Sequence, residues 1–183
     1  MRSLPEDDRQ ALLKLARSAL LEAVTHKRLL PLPVDVPPGF DRKQGVFVTL
    51  RSGKKLRGCI GVLESRRSLG EAVIGCAAGA ASEDPRFPPV AVGELSTIHI
   101  EVSVLSPLVP IRPEMIVIGT HGIAIVGEGR RGVLLPQVAV EHNLTPEQFL
   151  AETCKKAGLA PEAWRDAHTQ IFGFTSEVFS EPE

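Results

Sequence analysis

One short segment combines residue types that could do chemistry: Leu56-Arg57-Gly58-Cys59-Ile60-Gly61. In a strand, side-chain alternation puts Arg57 and Cys59 on one face, about 6.5 Å apart, and Leu56 and Ile60 on the other. A guanidinium beside a thiol favours the thiolate. Gly58 and Gly61 remove side-chain bulk, so a ligand or a second backbone can approach the sulfur closely. A cysteine nucleophile needs a base, and His121, in Thr120-His121-Gly122, is the best placed of the five histidines because it occupies a glycine-flanked loop beside a strand. The same residues also fit a blander arrangement: a buried cysteine acting as a small hydrophobe, glycines making room for a helix, and a solvated loop histidine.

Two further segments could contribute to a site. In Asp84-Pro85-Arg86-Phe87-Pro88-Pro89 the aspartate can bond the backbone while three prolines stiffen a loop that presents Arg86 and Phe87. The alternative is a helix stop sealed onto the core by Phe87. Leu134-Leu135-Pro136-Gln137 ends a strand just before a helix, where Gln137 either meets a ligand or caps that helix. Metal chemistry finds no ligand cluster. His99-Ile100-Glu101 has deaminase spacing but lacks the following P-C-x-x-C. No phosphate-binding glycine motif follows a strand, so a nucleotide cofactor is unsupported and no cofactor is expected.

The elements that must position these residues follow from periodicity. Ser3-Leu4-Pro5-Glu6 reads as a capping box for a first helix ending near residue 28, with His26 placed to meet its last carbonyls. Four prolines between residues 31 and 38 make an extended connector. Alternation from Val46 and again from Leu56 to Leu63, around Ser52-Gly53, predicts a hairpin whose second strand carries Cys59; Arg51, Lys54, Lys55 and Arg57 are expected at its solvated end. Ser68 and Glu71 cap a small-residue helix, and residues 98–104 form a half-buried strand. Strands near 122–126 and 132–135 form a glycine-punctuated hairpin. Thr145, Pro146 and Gln148 open a helix closed by Gly158, a short helical turn follows Pro161, and Gln170 to Phe179 reads as one closing strand.

Composition bounds the rest. A chain of 183 residues, 43% hydrophobic and 23% charged, buries roughly 70% of its unfolded surface and needs no staple. We expect one domain over 1–183 with a small subdomain around 106–135. Net charge is −1, there is no Tyr and one Trp, which disfavours nucleic acid. Three scattered cysteines indicate a reducing compartment, and with no signal-like or spanning apolar run the protein is expected to be cytoplasmic and away from membranes. Oligomeric state is not legible.

Six segments resemble, in order, those of the AMMECR domain family, also called AmmeMemoRadiSam system protein A. They are Leu56 to Gly61, Asp84 to Pro89, Glu101 to Leu105, His121-Gly122-Ile123, Leu134 to Glu141, and Lys156-Ala157-Gly158-Leu159. The likeness spans about residues 8 to 180, and L-R-G-C-I-G is the family signature. It departs at His142-Asn143-Leu144, where many relatives carry an aromatic residue. The resemblance implies an α+β fold, an antiparallel sheet flanked by helices with a smaller β-containing part. It also implies association with a Memo-like protein and a radical-SAM protein, but no agreed reaction. Two functional readings follow. The first is an enzyme or enzyme component with Cys59 as nucleophile and His121 as base; Arg57, Gly58, Gly61, Asp84, Arg86 and Gln137 would surround a small anionic substrate. The second is a non-catalytic binding or adaptor module for partner proteins.

Overall fold

The computed structural model describes residues 3–182, and its chain divides into two compact units. The first runs to Leu105 and resumes at Glu177; the second is Ser106–Ser176. The second unit is larger than the segment around 106–135 singled out in the sequence, because two helices and a later strand complete its core.

In the first unit, helix α1 (Glu6–His26) begins after Pro5 without a side-chain cap. Ser3 does not form the expected capping box: its hydroxyl donates to Glu177 at 2.6 Å. At the other end the His26 ring meets Glu22 at 3.0 Å rather than backbone carbonyls. Strands β1 (Val46–Ser52) and β2 (Lys55–Val62) form the expected hairpin, turning through Gly53 at φ 56°, a value that favours glycine. Helix α2 (Leu69–Ser82) has the Ser68–Glu71 capping box in both directions. Strand β3 is Ile98–Leu105 and the sheet order is β2-β1-β3-β8, with β8 at Ser176–Ser180. Val46, Val48, Leu50, Ile98, Ile100, Val102 and Val104 bury one face of this sheet in a core shared with α1 and α2. Each such side chain contributes roughly 1.5–3 kcal/mol.

The second unit has its own four-stranded sheet, ordered β4-β7-β5-β6. Its strands are β4 (Val109–Pro110), β5 (Gly122–Gly127), β6 (Arg130–Leu134) and β7 (Gln170–Phe174). Helices α3 (Pro136–Glu141) and α4 (Pro146–Lys156) share its core through Ala139, Phe149, Leu150 and Cys154. The α4 capping box of Thr145 and Gln148 is present. Its C-terminus closes as a Schellman turn, Gly158 N to Lys155 O and Leu159 N to Cys154 O, both at 2.9 Å. Helix α3 ends the same way with Asn143 at φ 51°, so the His142-Asn143-Leu144 departure encodes a helix stop. The single closing strand expected over 170–179 is instead two strands in two different sheets, separated at Thr175. Among the described residues, no helix is long and apolar enough to cross a membrane.

Candidate functional site

Strand β2 is an edge strand, so every second residue turns backbone polar groups away from β1. Cys59 is such a residue, and its N–H donates to Asp84 Oδ2 at 2.9 Å. Asp84, 4% exposed, lies just past α2, and its carboxylate also accepts from Arg86 Nε at 2.9 Å, Arg86 Nη2 at 2.7 Å and Arg86 N at 3.1 Å. These bonds, the Arg86 pair first, hold the Asp84 carboxyl well below the usual carboxylate range despite its burial. The aspartate thus bonds the backbone as the sequence suggested. It caps a strand edge and aims an arginine.

Arg57 does not lie beside the thiol. The β1–β2 register runs Leu50 opposite Gly58 but Arg51 opposite Leu56, which leaves Arg57 as the extra residue of a β-bulge. A bulge breaks alternation and re-aims the side chain. Its guanidinium forms a fork with Glu94, Nε to Oε2 at 2.7 Å and Nη2 to Oε1 at 2.9 Å. It also donates to the Pro88 and Pro89 carbonyls at 3.0 and 3.3 Å. The arginine brings the Glu94 carboxyl down to about 2. Arg57 and Asp84 therefore pin the proline-stiffened loop of residues 84–94 onto β2 at two points. The solvated hairpin end expected for Arg57 is corrected accordingly.

The same register sets Thr49 opposite Cys59 and Glu101 opposite Thr49. Thr49 Oγ1 donates to Cys59 Sγ at 3.3 Å, a cross-strand contact made possible by the close side chains of a non-hydrogen-bonded pair. Burial pushes the Cys59 thiol up; the Thr49 hydrogen bond and then the Arg86 charge oppose this without reversing it. The expected thiolate stabilised by Arg57 is overturned, because the nearby cation is Arg86 and desolvation outweighs it. Beside this row, Ser103 is 1% exposed, and its hydroxyl meets no hydrogen-bond partner among the described residues.

The space beside both glycines of the hexamer is filled by packing. A Cβ on Gly58 would overlap the Ala80 carbonyl oxygen of α2, and one on Gly61 would overlap the Phe47 ring. The room the two glycines leave admits a helix backbone and an aromatic ring. His121 and Gln137 belong to the second unit. His121 Nδ1 accepts from Val117 N at 3.0 Å, so its neutral ring carries the proton on Nε2 and presents a donor, not a base. Gln137 lies inside α3 and does not cap it, since the N-cap is Leu135; its Oε1 is buried without a partner among the described residues. No group of three or more His, Cys, Asp or Glu among the described residues could hold a metal. Reasoning from sequence missed Thr49 and Glu94; alternation marked Thr49 as a face residue, but nothing local marked Glu94.

The family model of AMMECR1 matches residues 13–179. The chain belongs to the AMMECR1 family. A protein of Methanothermobacter thermautotrophicus is 42% identical over 185 residues, covering 97% of this chain and 96% of its own. A Thermococcus gammatolerans protein is 45% identical over 181 residues, covering 93% and 88%. The crystal structure of an uncharacterized Pyrococcus horikoshii protein superposes with a TM-score of 0.93 at 40% identity, covering 97% of this chain and 93% of that one. The matched region includes the hexamer Leu56–Gly61, which lies within the edge strand described above, and the loop of residues 84–94 is the element that strand anchors.

Proposed function

We propose that this AMMECR1 protein is a binding module for a small anionic ligand, with Cys59 as a neutral contact rather than a nucleophile. The observation that carries the reading is the division of labour between two arginines. Arg57 is 14% exposed and committed to Glu94. Arg86 is 52% exposed, has its inner edge fixed by Asp84, and has a second amino group that donates to none of the described residues. An arginine oriented by a buried carboxylate is preorganised to meet a carboxylate or phosphate. The resemblance adds a place beside Memo-like and radical-SAM proteins in the cytoplasm, where the ligand would pass to or from those partners.

Iodoacetamide labelling followed peptide by peptide over pH tests the thiol. Cys59 is expected to label with a midpoint above the ordinary thiol value of about 8.5. A midpoint near or below neutral would restore the nucleophile. Calorimetric titration with citrate and inorganic phosphate tests the anion: Arg86→Gln should weaken binding far more than Arg57→Met, which loosens one anchor of the loop but keeps the Asp84–Arg86 pair, and equal loss in both would sink the assignment to Arg86.

A further inference from the structure

We infer that the second unit carries its own site for a small amphipathic anion, in a groove of about 580 Å³ between β6, α3 and α4. Its floor is aliphatic: Leu134 from β6, Val138 from α3 and Leu144 from the turn that follows α3. Its rim is basic. Lys155 shares its charge with Glu152 at 2.6 Å, while the exposed Lys156, one turn-end residue further, has no partner among the described residues. One surplus cation above an apolar floor matches a molecule with a single anionic head and an apolar body.

The groove is formed in advance of any ligand. Leu134 is held in the sheet opposite Ile123. Leu144 is fixed because its N–H donates to Ala139 O at 2.9 Å across the left-handed Asn143. Helix α4 is capped at both ends, which sets Lys155 and Lys156 at its last turn. A volume within the usual range of roughly 300–1,000 Å³ for small-molecule sites and walls that need no rearrangement favour a free molecule. A membrane surface would instead call for a cluster of about four or more basic residues, and only one unpaired lysine is present here.

The test uses the intact chain and 8-anilinonaphthalene-1-sulfonate, itself a compact amphipathic anion, as fluorescent probe. We expect saturable one-site binding, displacement by decanoate but at least fivefold more weakly by decanol, and at least fivefold loss of probe affinity in Lys156→Gln. Lys54→Gln, on the other unit, should leave affinity unchanged. Amide shifts on decanoate addition should centre on Val138 and Leu144, a readout that does not depend on any variant folding. Equal displacement by the alcohol, unchanged affinity in Lys156→Gln, or shifts centred elsewhere would overturn the proposal. Sedimentation with phosphatidylglycerol vesicles in preference to decanoate binding would overturn it too, by making the occupant a membrane.

Discussion

Replacing Arg57 with methionine separates its role as a staple from a role at the thiol. The substitution keeps the aliphatic stem and removes the guanidinium, with its fork to Glu94 and two bonds to proline carbonyls. Charged hydrogen bonds in protected settings contribute about 1.5–3 kcal/mol each. Glu94, however, is 37% exposed, so water and salt screen the pair toward the surface value of up to about 1 kcal/mol. Pro88 and Pro89 are exposed residues, so their freed carbonyls regain water. Together these give a loss of about 1.5 kcal/mol, or about 3–6 °C in Tm for a chain of this size. The assay is thermal unfolding by circular dichroism, paired with the pH profile of Cys59 labelling. Stability should fall while the labelling midpoint stays in place. If Arg57 were the cation that tunes the thiol, its removal would raise the midpoint by about a unit or more; that result with unchanged Tm would refute the reasoning.

Three other outcomes follow from the same geometry. Glu94 and Asp84 have depressed folded pKa values, so the stability they contribute is present above their unfolded values and lost as pH falls through the folded ones. Stability against urea should fall from about pH 4.5 toward about 2, and Asp84→Asn should flatten that fall. Gly58→Ala meets a backbone oxygen of α2 and should cost about 3 kcal/mol, whereas Gly61→Ala meets a ring that can move and should cost about 1 kcal/mol; the reverse order in chemical denaturation would contradict the packing described. Cys76, buried and pushed up to about 12, and Cys154, fully buried, should resist iodoacetamide until the chain unfolds, and labelling of either in native buffer would show that the cores open locally.

Local signals were legible wherever a local cause sufficed. The capping boxes at Ser68 and Thr145, the glycine stop at Gly158 and the β1–β2 hairpin each depend on residues within a few positions, and each is present. Ser3 failed as a cap because Glu177, far along the chain, competes for its hydroxyl. The run from Gln170 to Phe179 reads as continuous because Thr175 breaks no backbone rule; only the pairing partners divide it. Cys59, Asp84 and Arg86, which belong to two of the segments that carry the resemblance, lie together through the Asp84 carboxylate. Alternation failed at Arg57 because a single bulge shifts the register, and without that shift Thr49 would face Gly58 rather than Cys59.

The chain leaves the first unit after Leu105 and returns at Glu177. Where it leaves and where it comes back, Ser106 N donates to Thr175 O and Thr175 N to the Ser106 hydroxyl, each at 2.9 Å. The second unit is therefore nested within the first like a parenthesis whose two brackets touch. On the ribosome, α1, α2 and the three strands β1 to β3 emerge long before β8, so the outer edge of β3 stays unpaired while some seventy residues of the inserted unit are made. Synthesis order thus exposes a growing sheet to foreign strands, and the touching brackets shorten the search by which the last strand finds it. A chain in which a tight turn joins Leu105 directly to Glu177 would close that edge at once, trading away the inserted unit for a faster finish.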